Sequence, residues 1–475
     1  MNHEMKIMLP AIMTIFSVSC YANEQSVQLV KEISESTVST STPDYISISA
    51  FNQNPYIGLP SGGGTRDISE SDYFSDSVAK RLFSDGTWNA FAAGSYSPQN
   101  GYNNYGYALN LFGQTGQISG FSVGGLMTIA NPFFSSRWNP ADPINQNQAL
   151  PVAEQVTPQE LFLEYQHDNI VQADIGWIGI NNSPWMTYYF NNALNVVTYQ
   201  GLSVNVNPGG GWLLTGFAIN GSQLLGENGF SQQTMYNTTW DSGTATPDIG
   251  NAGSQSTYAI GANWNNSSDT FGLRMWDYQF TDYSNLAYSD ATMKFPVNND
   301  LVFTLAAQGA LQGTAGNTSI LNANGYGNNV NSNMLGTQLG LEYSIFTLQL
   351  GYNNIWGSTD GYAQGGLISP YTYQYATDPL YTTGWIVGMA ERSSGQAYKL
   401  SPSLSLLDGN LIVTPSYEYF SSTYIPSSNE YDIQVSYSIP EVKGLTLFGG
   451  YGYLSNVDDQ GNGFYLGQLM VSYLY

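Results

Sequence analysis

From Thr87 to the last residue, oily and polar side chains alternate in segments of about ten residues. In "YDIQVSYSI" Tyr431, Ile433, Val435, Tyr437 and Ile439 share one side of an extended chain, and Asp432, Gln434, Ser436 and Ser438 share the other. "YKLSPSLSL" opposes Tyr398, Leu400, Pro402, Leu404 and Leu406 to Lys399, Ser401, Ser403 and Ser405, and "FTLQLGYN" opposes Phe346, Leu348, Leu350 and Tyr352 to Thr347, Gln349, Gly351 and Asn353. Successive side chains of a strand point to opposite faces, so this spacing predicts strands and excludes helices. The polar rows carry Ser, Gln, Asn and Gly, which suits a face turned to water or a solute.

The pattern predicts eighteen strands, near 87–96, 105–113, 118–129, 159–168, 170–178, 195–206, 212–220, 256–265, 269–280, 285–297, 300–312, 333–344, 346–357, 396–406, 411–421, 429–439, 445–455 and 463–475. Clusters of Gly, Asn, Asp, Ser and Pro separate them, and the connections alternate short and long: "QTGQ" then 130–158, "DN" then 179–194, "NPGGG" then 221–255, a turn near "VNN" then 313–332, "SIF" then 358–395. "GWIVGMAER" is placed inside the long seventh loop, which keeps the strand number even. The expected fold is all-β: a transmembrane antiparallel β-barrel of about 18 strands, with short periplasmic turns and long extracellular loops.

Composition agrees. Charged residues make up only 10% of the chain, beside 51 Gly, 36 Tyr, 21 Phe and 10 Trp. After residue 22 no apolar run is long enough for a spanning helix. "MNHEMKIMLPAIMTIFSVSCYANEQ" reads as a signal peptide, residues 1–22, cleaved after Ala22; cleavage removes Cys20, the single cysteine. Residues 23–86 form an irregular amino-terminal segment, periplasmic or tucked into the lumen, and 87–475 the barrel. The closing strand, alternating and ending in Tyr475, has the form that barrel insertion machinery reads as an address. Expected localisation is the outer membrane, with its lipids as partners.

A net charge of −24, from 11 Lys+Arg against 35 Asp+Glu, excludes nucleic acid as a partner. No Cys/His cluster suggests a metal, no cofactor motif appears, and the "GGG" stretches at 62–64 and 209–211 lack the lysine of a phosphate loop. His167, beside Asp168 in "YQHDN", reads as a turn residue rather than a catalytic base, so no catalytic residue and no enzyme activity are expected. Tyr419, Tyr453, Tyr475, Trp264 and Trp356 read as an interfacial girdle, with a sugar-stacking slide as the alternative.

"LNVVTYQGLSV" and "NEYDIQVSYSIPEVKGLTLFGGYGYL", with the closing strand, resemble the OprD family of outer-membrane porins. The matching residues are Leu194, Thr198, Tyr199 and Gly201, then Glu430, Asp432, Tyr437, Lys443, Gly444 and Leu445. The resemblance implies an eighteen-stranded barrel narrowed by an inserted loop, passing amino acids, peptides or small carboxylates down their gradient. One departure bears on the solute: the family's ladder of arginines is missing. By alternation the inward positions are Arg274, Lys294 and Lys399 against Glu160, Glu164, Asp174, Asp290, Glu342, Glu418 and Asp432. The third long loop, "GINNSPWMTYYFNNALN", is uncharged, and if it turns inward Asn181, Asn182, Tyr188, Tyr189 and Asn191 line the constriction. Such an eyelet suits neutral or zwitterionic small hydrophilic solutes, or weakly favours cations. A homotrimer is an admissible assembly. The rival readings are a surface or adhesion barrel whose loops bind partners without transport, and a soluble secreted β protein.

Overall fold

The computed structural model describes residues 85–99, 102–132, 150, 154–168, 170–180, 182–186, 188, 194, 196–224, 229–232, 234, 256–298, 300–316, 329–372, 378–391, 393–423, 426–456 and 461–475. The signal segment, nearly all of 23–86, and Asn181, Tyr189 and Asn191 lie outside them.

Among the described residues there are eighteen strands: β1 Thr87–Gln99, β2 Tyr102–Gln114, β3 Phe121–Asn131, β4 Gln155–His167, β5 Val171–Ile178, β6 Thr198–Gly209, β7 Trp212–Gln223, β8 Thr257–Asn265 and β9 Phe271–Phe280. The chain continues through β10 Ser284–Asn298, β11 Leu301–Thr314, β12 Asn331–Tyr343, β13 Phe346–Gly357, β14 Gly395–Leu406, β15 Leu411–Ser422, β16 Ser428–Ser438, β17 Leu445–Leu454 and β18 Phe464–Leu474. Each strand pairs antiparallel with its sequence neighbours, and β1 pairs with β18, so the sheet closes on itself. The seam runs from Phe91↔Leu474 to Gln99↔Leu466, and Tyr475 N donates to Ala90 O at 2.8 Å. Closure removes the free edge that would leave backbone groups unpaired.

The expected strands appear within four residues of their bounds. The largest difference is the start of β4, expected at 159 and found at Gln155. Pro158 faces outward beside a bulge, between its pairing with Met127 and that of Glu160 with Leu126, where Gln159 is the extra residue. "GWIVGMAER" forms no strand; it carries a single 3-10 turn at Met389–Glu391.

Alternation sorts the two faces as expected. Outward residues are oily and exposed, among them Val156 at 73%, Ile260 at 68% and Leu339 at 55%. An apolar outer band this continuous belongs in hydrocarbon rather than water. Aromatics flank it at both rims. Tyr105, Tyr258, Trp356, Tyr398 and Tyr453 are exposed toward the long-loop rim, and Trp88, Phe121, Tyr165 and Tyr343 toward the other. Tyr352, Tyr398 and Tyr419 form a run of ring contacts on the outer wall, centroids 5.1 and 6.5 Å apart, and Trp264 packs near Trp212 at 6.0 Å. Trp264, Trp356, Tyr419 and Tyr453 therefore face outward, as a girdle does.

The inner face departs from the simple expectation of a wet polar row. Toward the long-loop rim it is also aromatic and is covered: Tyr199, Tyr278, Tyr283 and Phe280 are fully buried. The cover is chain from two loops that fold inward.

An arginine on the outer band meets hydrocarbon. Leu339→Arg on β12 is expected to destabilise the barrel by about 2–4 kcal/mol, whereas Ser405→Arg, on the half-exposed inner side of β14, shifts it by under about 1 kcal/mol. Denaturant unfolding in lipid vesicles measures the difference.

Candidate functional site

The interior is shaped by the third loop, 179–197, and the seventh, 358–394. In the third, Asn182 Nδ2 donates to Asn205 Oδ1 at 3.0 Å and to Thr215 Oγ1 at 2.7 Å, tying the loop to β6 and β7. Ser183 Oγ lies 2.8 Å from Tyr278 Oη, which also accepts from Trp185 N at 3.4 Å. The Trp185 ring meets Tyr288 edge-on at 5.8 Å. On the opposite side Asn110 Nδ2 donates to Leu194 O at 2.9 Å and Val196 N donates to Gln159 Oε1 at 3.3 Å. The described residues of the third loop are thus tied to the inner wall on both sides. Of its five expected lining residues, Asn182 reaches the β6–β7 wall, while Tyr188 is buried and its carbonyl accepts from Val197 N at 2.6 Å. Both are engaged in holding the loop.

The seventh loop goes in as well, which the sequence reading did not anticipate. Gln312 exchanges two hydrogen bonds with Ile368, each 2.7 Å, and Ser332 Oγ donates to Gly366 O. Tyr371 reaches far across the lumen: its ring is 5.5 Å from Tyr199 and 6.1 Å from Phe280, and Thr257 Oγ1 donates to its hydroxyl at 3.3 Å. Asn353 Oδ1 accepts from Thr382 N and Oγ1, both 3.1 Å. Gln308, its amide oriented to satisfy its neighbours, donates to Pro379 O and accepts from Tyr381 N, at 3.0 and 2.9 Å. Within the loop Asp378 accepts from Leu380 N at 3.0 Å and from the Thr383 hydroxyl.

The turn at 384–387 docks on carboxylates of the wall. Trp385 N donates to Asp432 Oδ2 at 3.1 Å, and Ile386 N and Val387 N donate to the two oxygens of Glu430 at 2.5 and 3.1 Å. Glycine at 384 lets the turn approach the Glu430 carboxylate this closely, since a Cβ there would come within 2.5 Å of it and push the carboxylate aside. The Trp385 indole lies over Gly450 and Gly452 of β17 and near Phe448 at 6.3 Å, against a wall left bare of side chains for it.

Most of the inward charges fall into three groups. On β9 and β10, Arg274 Nε donates to both oxygens of Asp290, at 3.1 and 2.9 Å. On β14 to β16, Lys399 Nζ is 3.1 Å from Glu418 Oε1 and donates to Thr383 O at 2.5 Å, beside Glu430 and Asp432. On the opposite wall Glu164 accepts from Gln114 at 2.7 Å, Ser122 at 3.1 Å and Gln172 at 3.0 Å, and Gln172 also donates to Asp174 at 3.0 Å. Glu160 faces inward nearby and Glu342 on β12. Lys294 pairs with Asp269 at the short-turn rim, 3.3 Å. All three expected basic residues therefore face inward, and each has a carboxylate partner. His167 and Asp168 lie 3.7 Å apart, both mostly exposed at a turn.

Toward the short-turn rim the inner side of β13 to β16 opens. Thr347, Ser403, Ser405, Thr414, Gln434 and Ser436 are part-exposed there, a hydroxyl-lined vestibule beneath the seventh loop. Glu430 entered the sequence reading only as a family match and Asn353 only as one of a polar row, and Asp378 and Gln312 did not enter at all. Their signal was the apolar content of "PLYTTGWIVGMA", too oily for a loop in water.

Burial pushes the Asp378 carboxyl up to about 6, against the hydrogen bonds from Thr383 and Leu380, which lower it. A carboxyl raised in the folded state favours folding at low pH, and that contribution is lost as pH rises through 6. Hydrogen exchange of 378–391, corrected for intrinsic rates, is expected to quicken between pH 4 and 7, with a shallower rise in Asp378→Asn.

Comparison with known proteins places the architecture. No family model matches the chain and no curated protein does. Solved structures do: OpdK of Pseudomonas aeruginosa, crystallised with vanillate, is 13% identical with a TM-score of 0.68 over 83% of this chain and 99% of its own. OccAB3 of Acinetobacter baumannii is 16% identical at 0.68, over 83% and 100%. A BenF-like porin from Pseudomonas fluorescens Pf-5 is 12% identical at 0.67, over 83% and 99%. At these identities the likeness is one of fold, and the fold of this chain is the eighteen-stranded barrel of the OprD-type porins.

Proposed function

We propose that the chain is an outer-membrane porin that lets small hydrophilic solutes diffuse passively through a lumen narrowed by its third and seventh loops. The supporting observation is sidedness: an oily exterior with aromatic rims encloses an interior of hydroxyls, amides and charges. Hydrocarbon outside and water inside is the arrangement that a conducting barrel requires. The shared fold with a BenF-like porin raises the same expectation.

The wall chemistry speaks for the solute class. Inward on the strands stand Glu160, Glu164, Asp174, Asp290, Glu342, Glu418, Glu430 and Asp432 against Arg274, Lys294 and Lys399. Each of these basic groups is committed to a carboxylate, so among the described strand residues an incoming acid finds no unengaged inward cation. OpdK was crystallised with vanillate and OccK2 with glucuronate, both acids. The present lumen suits amino acids, small peptides, neutral solutes or cations better. A single chain closes its own ring, so a homotrimer would be an assembly of complete pores.

Planar-bilayer recording in a potassium chloride gradient tests this reading. Discrete channels with a reversal potential on the cation side are expected, and removal of 366–391 should raise unit conductance several-fold. Anion selectivity would reject the solute assignment, and a folded barrel without conductance would favour the adhesion barrel.

A further inference from the structure

One cluster is poorly explained by its role in seating the seventh loop. Glu418, Glu430 and Asp432 are buried on β15 and β16, with carboxylate oxygens all within 4.8 Å of one another. Glu430 is satisfied, both its oxygens accepting from backbone N–H groups of the loop. Glu418 is less well served: it is 0% exposed, Lys399 faces its Oε1, and beyond the nearby Ser416 hydroxyl no donor comes within hydrogen-bond geometry of its Oε2. Asp432, 6% exposed, accepts from Trp385 N and Ser416 Oγ at Oδ2 while Oδ1 has none. Lys399 supplies one positive charge, 3.1 Å from Glu418 Oε1, against three carboxylates. Buried charge without compensation is expensive, and so is a buried acceptor left bare.

We propose that this triad binds one divalent cation, of which calcium fits best, and that the ion pins the seventh loop to β15 and β16. Three carboxylates are hard oxygen donors with no nitrogen or sulfur among them, the ligand set of calcium rather than of zinc or copper. Calcium takes such oxygens in flexible geometry at about 2.3–2.6 Å, whereas magnesium demands a near-ideal octahedron and keeps several of its waters. A doubly charged ion would balance what Lys399 leaves over and would use the two bare oxygens. It would also bridge the carboxylates that receive the loop, so that binding and loop seating are coupled. The ion is structural in this account, independent of which solute the pore passes.

Terbium, which replaces calcium and is excited by a nearby indole, provides the test because Trp385 sits on the cluster. The full-length barrel in detergent, freed of metal with a chelator, is titrated with terbium under tryptophan excitation, with heat-modifiable gel mobility confirming the fold of every variant. One terbium per chain is expected, displaced by calcium, with affinity reduced on the order of 100-fold in Glu418→Gln and Asp432→Asn. Glu342→Gln, on another wall, should titrate like the parent, and Trp385→Phe should lose most of the sensitised emission. Calcium should also slow hydrogen exchange of 378–391 in the parent and not in Glu418→Gln. Absence of stoichiometric binding in the parent, or parental titrations in both folded triad variants, overturns the proposal.

Discussion

Inside a bilayer no water is at hand to satisfy a backbone N–H or C=O, and each one left unpaired costs several kilocalories per mole. Everything else in this molecule follows from that constraint. A sheet of eighteen strands meets it only by closing, and the β1–β18 seam, from Phe91↔Leu474 to Gln99↔Leu466, is where it does. Closure fixes an inside and an outside, and the period-two alternation then assigns every strand residue to one or the other. Rows such as Tyr431, Ile433 and Val435 meet lipid because Glu430, Asp432 and Gln434 must not.

The interior has its own difficulty. A ring of this size encloses more space than its wall side chains fill, and the protein reduces it with backbone from two loops. Bringing backbone inside raises the same accounting question as at the seam, and the wall answers it with side chains: Glu430 and Asp432 for the N–H groups of 385–387, Gln312 for Ile368, Asn353 for Thr382. The same carboxylates that give the lumen its negative character therefore also receive the loop. Wall charge and the seating of the loop are physically linked through β14 to β16, where Lys399 touches both Glu418 and the Thr383 carbonyl.

Much of the ring was legible in the residues, because alternation is local and repeats eighteen times. The charge pairs were legible in principle. Once Leu406 opposes Leu411 across the β14–β15 turn, Lys399 must oppose Glu418, and Phe280 opposite Ser284 likewise brings Arg274 to Asp290. The seventh loop was not legible. No periodic signal says whether a connection turns out to water or back into the barrel, and its contacts with Thr257, Gln312 and Asp432 join strands far apart in sequence. The start of β4 lies four residues before its expected bound, in a stretch that includes Pro158, which a strand tolerates here beside a bulge.

The seam itself can be interrogated directly. Ala92 and Tyr473 face outward and are register partners across β1 and β18, some 380 positions apart in the chain. With Ala92→Cys and Tyr473→Cys introduced together, oxidation of the native membranes should yield a monomeric species of altered gel mobility that reverts on reduction. The pair Ala92→Cys with Leu469→Cys, also outward but out of register, should not. Cross-linking of the second pair and not the first, or of neither in folded protein, would mean that the ring does not close as described.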